Sequence, residues 1–480
     1  MRTRLNVFEP GAAEAVKWYA LAVRSMQSKP IAEPTSWRYQ AAIHEYLDGS
    51  DPLAIDGEAL PSTQEQDRFW NQCQHGSWYF LPWHRMYLLH FERIVAAEVL
   101  KQKGPADWAL PYWNYGKNES SRLLPPAFRA PKMPDGSNNP LFVAQRREGV
   151  NAGNQFAQAR DVNMRPALFE PDFEIPSVGG TSGFGGPITE FEHGGSVAGT
   201  LDALPHGSMH VAVGGTGPRA GWMSSFNTAA LDPIFWLHHA NIDRLWEVWL
   251  KRDASHTNPN TNDWLRSVAF EFKDALGKIV SMTPADVLDT SAATLSYVYD
   301  DTSDPFAEAP AAAAAARMAM PKKQRPEAEM VGATSQPFDL GDTPTHAVVP
   351  TVQPQVAART GTAAMANTPP RVFLNIENIS SASIAPAYDV YVNVPDGAHP
   401  KRHEDLFVGR LSMFGIVEAS RPSQRHPGSG LHYVLDVTDI YERLSKLSAW
   451  DPSRLRVSFL PAEPTGGAKI QVGRVSLYFG

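Results

Sequence analysis

The stretch Cys73-Gln-His75-Gly-Ser-Trp-Tyr-Phe-Leu-Pro-Trp-His84-Arg85 constrains this chain more than any other. Two histidines stand nine positions apart, and the chain's one cysteine lies two residues before the first. Pro82 biases Leu81 away from helical geometry, so the chain from His75 to Leu81 reads as a loop. A helix is expected to start near Pro82, since proline is tolerated in a first turn. Leu88, Phe91, Val95 and Val99 then follow at helical spacing, with His84 one turn earlier on the same inward face. An imidazole aimed into an apolar interior needs a partner. A hydrogen-bonded core histidine and a metal ligand both meet that need.

At 480 residues the chain is long for one core, and two domains are expected. Charged residues make up 20% and the net charge is -8, which gives no reason to invoke nucleic acid or an anionic membrane. No apolar run approaches a membrane span, and the first ten residues contain no continuous apolar segment. A single cysteine excludes an internal disulfide and fits a reducing, cytoplasmic setting.

Residues 12–28 carry Val16, Ala20, Val23 and Met26 at helical spacing. A second helix is expected after Pro34, with Trp37, Ala41, His44 and Leu47 on one face. Residues 48–62 and most of 108–205 read as loop. Further on, His206 and His210 stand four apart, so a helix stacks both rings on one side. In Asp232-Pro-Ile-Phe-Trp-Leu-His238-His239, the second histidine continues through Ile242, Trp246 and Trp249 at helical spacing. Asp243 lies one turn beyond His239, where a carboxylate can orient an imidazole. His90, His193, His256 and the histidines beyond residue 340 read as structural.

Residues 304–370 are dominated by Ala, Pro, Thr and Gln, with an alanine run at 310–316, and are expected to be a linker of low packing capacity. After Pro369-Pro370 the period changes to two, with strand-like runs at 406–413, 431–437, 455–460 and 470–479. The expected architecture is a mainly α catalytic domain over 1–303, built on a four-helix bundle with long loops. It is followed by the linker and a small all-β sandwich over 371–480.

Two histidine triplets emerge: His44, His75 and His84 in the first half, His206, His210 and His239 in the second. Three neutral imidazoles suit copper, zinc, iron or nickel and leave coordination positions open. No carboxylate falls at ligand spacing within either triplet, which disfavours hydrolytic di-zinc and di-iron carboxylate sites. Imidazole-only binding tolerates both copper oxidation states.

These motifs together resemble the type-3 binuclear copper proteins, the tyrosinases, catechol oxidases and molluscan haemocyanins. The resemblance is carried by His75 through Phe-Leu-Pro-Trp-His84-Arg to Glu92, by His206-x-x-x-His210, and by Asp232-Pro-Ile-Phe-Trp-Leu-His238-His239 with Asn241 and Asp243. It implies four antiparallel helices and two copper ions, copper A on His44, His75 and His84 and copper B on His206, His210 and His239. His238 then supports from behind, since adjacent helical residues point about 100° apart. The implied partners are O2 and a small phenol, for a monomer or an oligomer: an o-diphenol leaves as o-quinone, and tyrosinases first hydroxylate a monophenol.

The Cys73-x-His75 pattern resembles proteins of this group in which a thioether joins the two residues; in an extended segment both side chains point the same way. Asp202 occupies the place where plant members carry a water-holding glutamate, and Gly207 stands where strong monophenolases often carry asparagine. Val211 adds no charge, and Phe226 matches an aromatic that overhangs copper B in the plant enzymes. Tyr297-Val-Tyr299 resembles the motif closing the catalytic domain, with Arg38 as its expected partner. The sandwich resembles the shielding domain of latent polyphenol oxidases, and Met413-Phe414 and residues 421–430 are its candidate covering loops. A haemocyanin-like O2 carrier, an o-aminophenol oxidase and a two-zinc hydrolase are the rival readings.

Overall fold

Helices form where apolar residues recur every three or four positions and a cap is at hand. In the computed structural model, which describes residues 1–47, 53, 55, 57–175, 179–307, 328–352, 371–422, 427–448 and 450–480, Ala12–Gln27 buries Val16, Tyr19, Ala20, Val23 and Met26. Trp37–His44 starts on Ser36, whose hydroxyl accepts the Tyr39 N–H, and stops where Glu45 turns extended. Phe80–Lys101 begins two residues before Pro82, earlier than expected, because a proline in the first turn removes no helical hydrogen bond. Pro233–Arg252 is capped by Asp232, which accepts the Ile234 N–H and is itself clamped by two 2.7 Å bonds from Arg146. Residues 108–205 wrap this helical core mostly as loop and turn.

A short parallel ladder of Arg2–Arg4 on Tyr297–Tyr299 joins the two ends of the helical domain. It seats the Arg4 guanidinium between Glu92 (2.7 Å) and Asp243 (3.2 Å), with the Tyr299 hydroxyl 2.8 Å away. The arginine serving the tyrosine motif is therefore Arg4, not Arg38, which pairs with Glu58 instead.

The second core is an antiparallel sandwich. One sheet runs Phe407–Leu411, Tyr388–Val392, Arg454–Pro461, Thr345–Pro350. The other runs Leu431–Asp436, Val372–Ser380, Ile470–Phe479, Glu329–Ala333, with Phe338–Leu340 also on Ile470–Phe479. Their inner faces bury Leu374, Ile376, Val390, Val457, Phe459, Val472 and Leu477. The expected 304–370 linker is thus overturned in part: three strands between Glu329 and Pro350 belong to the sandwich. The alanine run at 310–316 lies outside the described residues.

The sandwich sits on the helical domain through shared arginines. Arg410 binds Asp161 (2.6 Å) on one side and Asp389 (2.7 Å) on the other. Arg371 reaches Glu170 (3.3 Å) and Asp436 (2.9 Å) in the same fashion. The Ser196 carbonyl accepts the His432 N–H at 2.8 Å. Among the described residues, no helix is long and apolar enough to cross a membrane.

Candidate metal centre

His44 ends its helix, and its Nδ1–H donates to the Phe226 carbonyl at 2.7 Å. His84 lies in the first turns of Phe80–Lys101 and donates from Nδ1 to the Phe80 carbonyl at 2.8 Å. A carbonyl can only accept, so both rings carry hydrogen on Nδ1 and present the Nε2 lone pair inward. His75 precedes the helix, in the loop, and its Nδ1 faces the Cys73 sulfur at 3.4 Å. The ligand atoms of His44, Cys73, His75 and His84 all lie within 4.8 Å of one another.

His206 falls in the irregular turn Asp202–Gly207 and His210 in the helix Ser208–Gly214 that follows it. Their Nδ1–H groups donate to the carbonyls of Asp202 (3.0 Å) and Met223 (2.8 Å). His239, on Pro233–Arg252, brings Nε2 to 3.4 Å from His210 Nε2. His238 departs from expectation. Its ring stacks on His206 (5.4 Å, 18°), and its ligand atom lies within 4.8 Å of those of His206, His210 and His239. Cβ atoms 100° apart do not prevent two long side chains from bending toward one point.

The two groups meet. His84 and His239 stack with centroids 4.4 Å apart and planes 6° from parallel, and His75 stacks on His206 at 5.6 Å. Burial disfavours the charged form of six of the rings: His44 is pushed down to about 3, and His75, His84, His210, His238 and His239 lie well below the usual range, with neighbouring imidazoles adding to the effect. Imidazoles whose Nε2 atoms, as at His44 and His206, find no partner among the described residues are the donor set that a soft to borderline transition metal takes. Two adjacent ions fit, and the residues present suit copper.

A pocket opens onto these rings, lined among others by His75, Asp202, Gly207, Phe226, Phe414 and Tyr433. The Asp202 carboxylate accepts the Gly76 N–H (2.9 Å) and lies 3.1 Å from His206 Nδ1, so it joins the two histidine segments. Phe226 stacks on His75 (4.1 Å, 27°), the first triplet, rather than overhanging the second; its carbonyl is the one that holds His44. Val211, Phe226 and Phe414 form a small buried apolar cluster. Phe414, from the sandwich, lies on His210, and a Cβ at Gly207 would stand 2.6 Å from the Ser412 hydroxyl. Of the two candidate covering loops, Met413-Phe414 is the one in the pocket; residues 423–426 of the other lie outside the described residues.

Asp243 does not orient His239. Its carboxylate takes Arg4, Arg85, Tyr297 and Tyr299, while His239 Nδ1 has no hydrogen-bond partner among the described residues. Asn241 takes a long bond from Arg244 (3.5 Å). Sequence reasoning passed over Phe235, whose ring touches His44 (5.1 Å) and His239 (4.2 Å); its place one turn before His239 was the available signal. His193, read from sequence as structural, bonds the Cys73 carbonyl from a loop without periodicity.

Comparison with known proteins agrees with this geometry. The family model described as the common central domain of tyrosinase matches residues 34–252, and a domain of unknown function matches 327–480. The chain is 37% identical to the tyrosinase HcTyr1 of Hahella sp. (strain CCB-MM4), over 100% of this chain and 99% of that protein. It is 27% identical to a chloroplastic polyphenol oxidase of Malus domestica, over 94% of this chain and 74% of that one. The structure of latent apple tyrosinase superposes with a TM-score of 0.67 at 22% identity, covering 100% of this chain and 97% of that one, which shows a shared fold. Matched across its whole length, the chain belongs to the tyrosinase and polyphenol oxidase family of copper oxidoreductases.

Proposed function

We propose that His44, His75 and His84 hold one copper ion and His206, His210 and His239 a second. With them the protein uses O2 to oxidise o-diphenols to o-quinones; Gly207, where strong monophenolases often carry asparagine, weighs against monophenol hydroxylation as the main activity. The observation that carries this reading is the stack of His84 on His239, which brings two all-histidine donor sets edge to edge. Copper bound there supplies the electron exchange that couples phenol oxidation to O2 reduction. His239 is chosen over His238 because it faces the first triplet, whereas His238 lies behind His206.

The chain's own residues prepare the site. Four backbone carbonyls fix the rotamers and tautomers of His44, His84, His206 and His210. The face of His210, with Val211 and Phe226 beside it, receives the aromatic ring of the substrate. Asp202, held by the Gly76 N–H, takes the phenolic proton. Phe414 occupies the ring position until the sandwich loosens, so the full chain is latent.

Cys73 and His75 are joined by a thioether in the mature protein. The sulfur stands 3.4 Å from Nδ1 and 3.7 Å from Nε2, and so faces Cε1 between them. Forming the bond removes the thiol and Cε1 hydrogens, with O2 as the two-electron acceptor. Intact mass lowered by two hydrogens, and no alkylation after denaturation, supports it; a thiol that still alkylates stoichiometrically rules it out.

The covered pocket also fits an O2 carrier. Copper-loaded wild-type and Phe414→Ala protein, assayed side by side on tyrosine, tyramine, catechol and o-aminophenol, separate the readings. Catechol turnover with two copper ions per chain is expected. Copper binding without turnover in either protein overturns the oxidase reading.

A further inference from the structure

His75 lacks the backbone carbonyl that holds Nδ1 of His44, His84, His206 and His210. It precedes the helix, and its Nδ1 faces the Cys73 sulfur rather than a carbonyl. Something else must hold the 73–75 backbone in place. We infer that His193 is a positioning residue for the first copper position, bracing the two segments that carry His44 and His75. The inference rests on the copper reading above.

His193 donates from Nδ1 to the Cys73 carbonyl at 2.7 Å, two residues before His75. Its Nε2 faces Glu45 Oε1 at 3.6 Å, and Glu45 directly follows His44. One imidazole therefore spans two of the three segments supplying the triplet. Its neighbours reinforce the same backbone: the Glu192 N–H donates to Gln74 Oε1 (2.8 Å), and the Gly195 N–H to the His75 carbonyl (3.0 Å). The approach is close. A Cβ at Gly76, where φ is +61°, would meet Gly195 backbone atoms at 2.6 Å, so the two loops pack without intervening side chains. On its far side the same loop is fastened to the sandwich, through the Ser196 carbonyl and His432 N–H (2.8 Å). The brace thus links the covering domain to the ligand loop as well as to the pocket mouth.

The test separates the two ring nitrogens. In His193→Asn the amide nitrogen overlays Nδ1 and keeps the donor to Cys73. His193→Gln places its amide near Nε2 and loses that donor, and His193→Ala loses both. Full-length proteins are loaded with copper and equilibrated against graded EDTA, with copper per chain and thermal midpoint as readouts. Losing an outer tie of this kind costs roughly 10–100-fold in metal affinity. His193→Ala and His193→Gln should shed one of two ions at correspondingly lower chelator, with His193→Asn, which keeps the Cys73 tie and loses the one to Glu45, between them and wild type and all midpoints similar. Retention of both ions by His193→Gln, or loss from His193→Asn equal to that from His193→Ala, overturns the inference. A wild-type chain that never holds two ions overturns the copper reading itself.

Discussion

Phe414 lies flat on His210, ring centroids 4.0 Å apart and planes 13° from parallel, so a side chain of the sandwich fills the space that the proposed function assigns to the substrate ring. Removing that ring should open the site. Burying a phenylalanine contributes about 1.5–3 kcal/mol, and about 1.4 kcal/mol is a factor of ten. Phe414→Ala in the full chain should therefore raise catechol turnover on the order of tenfold or more, checked by initial rates at equal copper content.

Gly207 gives a second route to the same end. A methyl there would stand 2.6 Å from the Ser412 hydroxyl and 3.3 Å from Phe414 Cβ. Gly207→Ala should displace the covering turn and raise full-chain turnover, while adding little to a Phe414→Ala background. Equal gains in both backgrounds would place the effect on the histidines instead.

Arg410 holds one carboxylate on each domain, Asp161 and Asp389. Breaking a buried ion pair by removing one partner typically costs about 3–5 kcal/mol. Arg410→Met should loosen docking, increase turnover of the full chain and lower the thermal midpoint of the sandwich by calorimetry.

Docking should also weaken as pH rises. Glu418, four residues beyond Phe414, is pushed up from 4.5 to about 8 by burial first and then by the Glu45 carboxylate. Between those values the docked carboxyl keeps a proton that a solvated one has released, so docking loses strength with pH there and levels off above about 8. The ratio of wild-type to Phe414→Ala turnover should increase from pH 5 to 8, and Glu418→Gln should flatten most of that rise.

Asp243 accepts from two arginines and two tyrosines inside the helical core. Its pairing with Arg85 and Arg4 outweighs burial and holds the carboxyl below its usual range. Asp243→Asn should leave both guanidinium groups short of charge and cost several kcal/mol, on the order of 3–5, read as a fall in thermal midpoint without a change in the metal ligands.

The six histidines of the triplets were legible because five sit on or beside helices whose apolar period announces which way they face, and the sixth lies in a motif-bearing loop. Phe414 lay in one of two candidate loops, 413–414 and 421–430, with no ground to choose between them or between adjacent apolar side chains, since which turns outward depends on backbone geometry; Met413 takes a positive φ of 62° and buries inward. Arg38 was expected where Arg4 serves, because a pairing across some 240 residues leaves no periodic trace. The strands between Glu329 and Pro350 were hidden for another reason. Each is short and half-exposed, and the Ala- and Pro-rich residues around them dominate any compositional window. The bend of His238 toward His206 escaped an argument that treated side chains as straight spokes.

Ile470–Phe479, the last strand, pairs with Val372–Ser380 on one side and with Glu329–Ala333 on the other, so it sits inside its sheet and not at an edge. A ribosome must pass Phe479 before that sheet can close. During synthesis the last histidine of the cage emerges 175 residues ahead of Phe414 (414 − 239). Newly made protein thus passes through an interval in which ions and oxygen reach the cage freely, and Phe414 shuts a chamber that has already had its chance to fill.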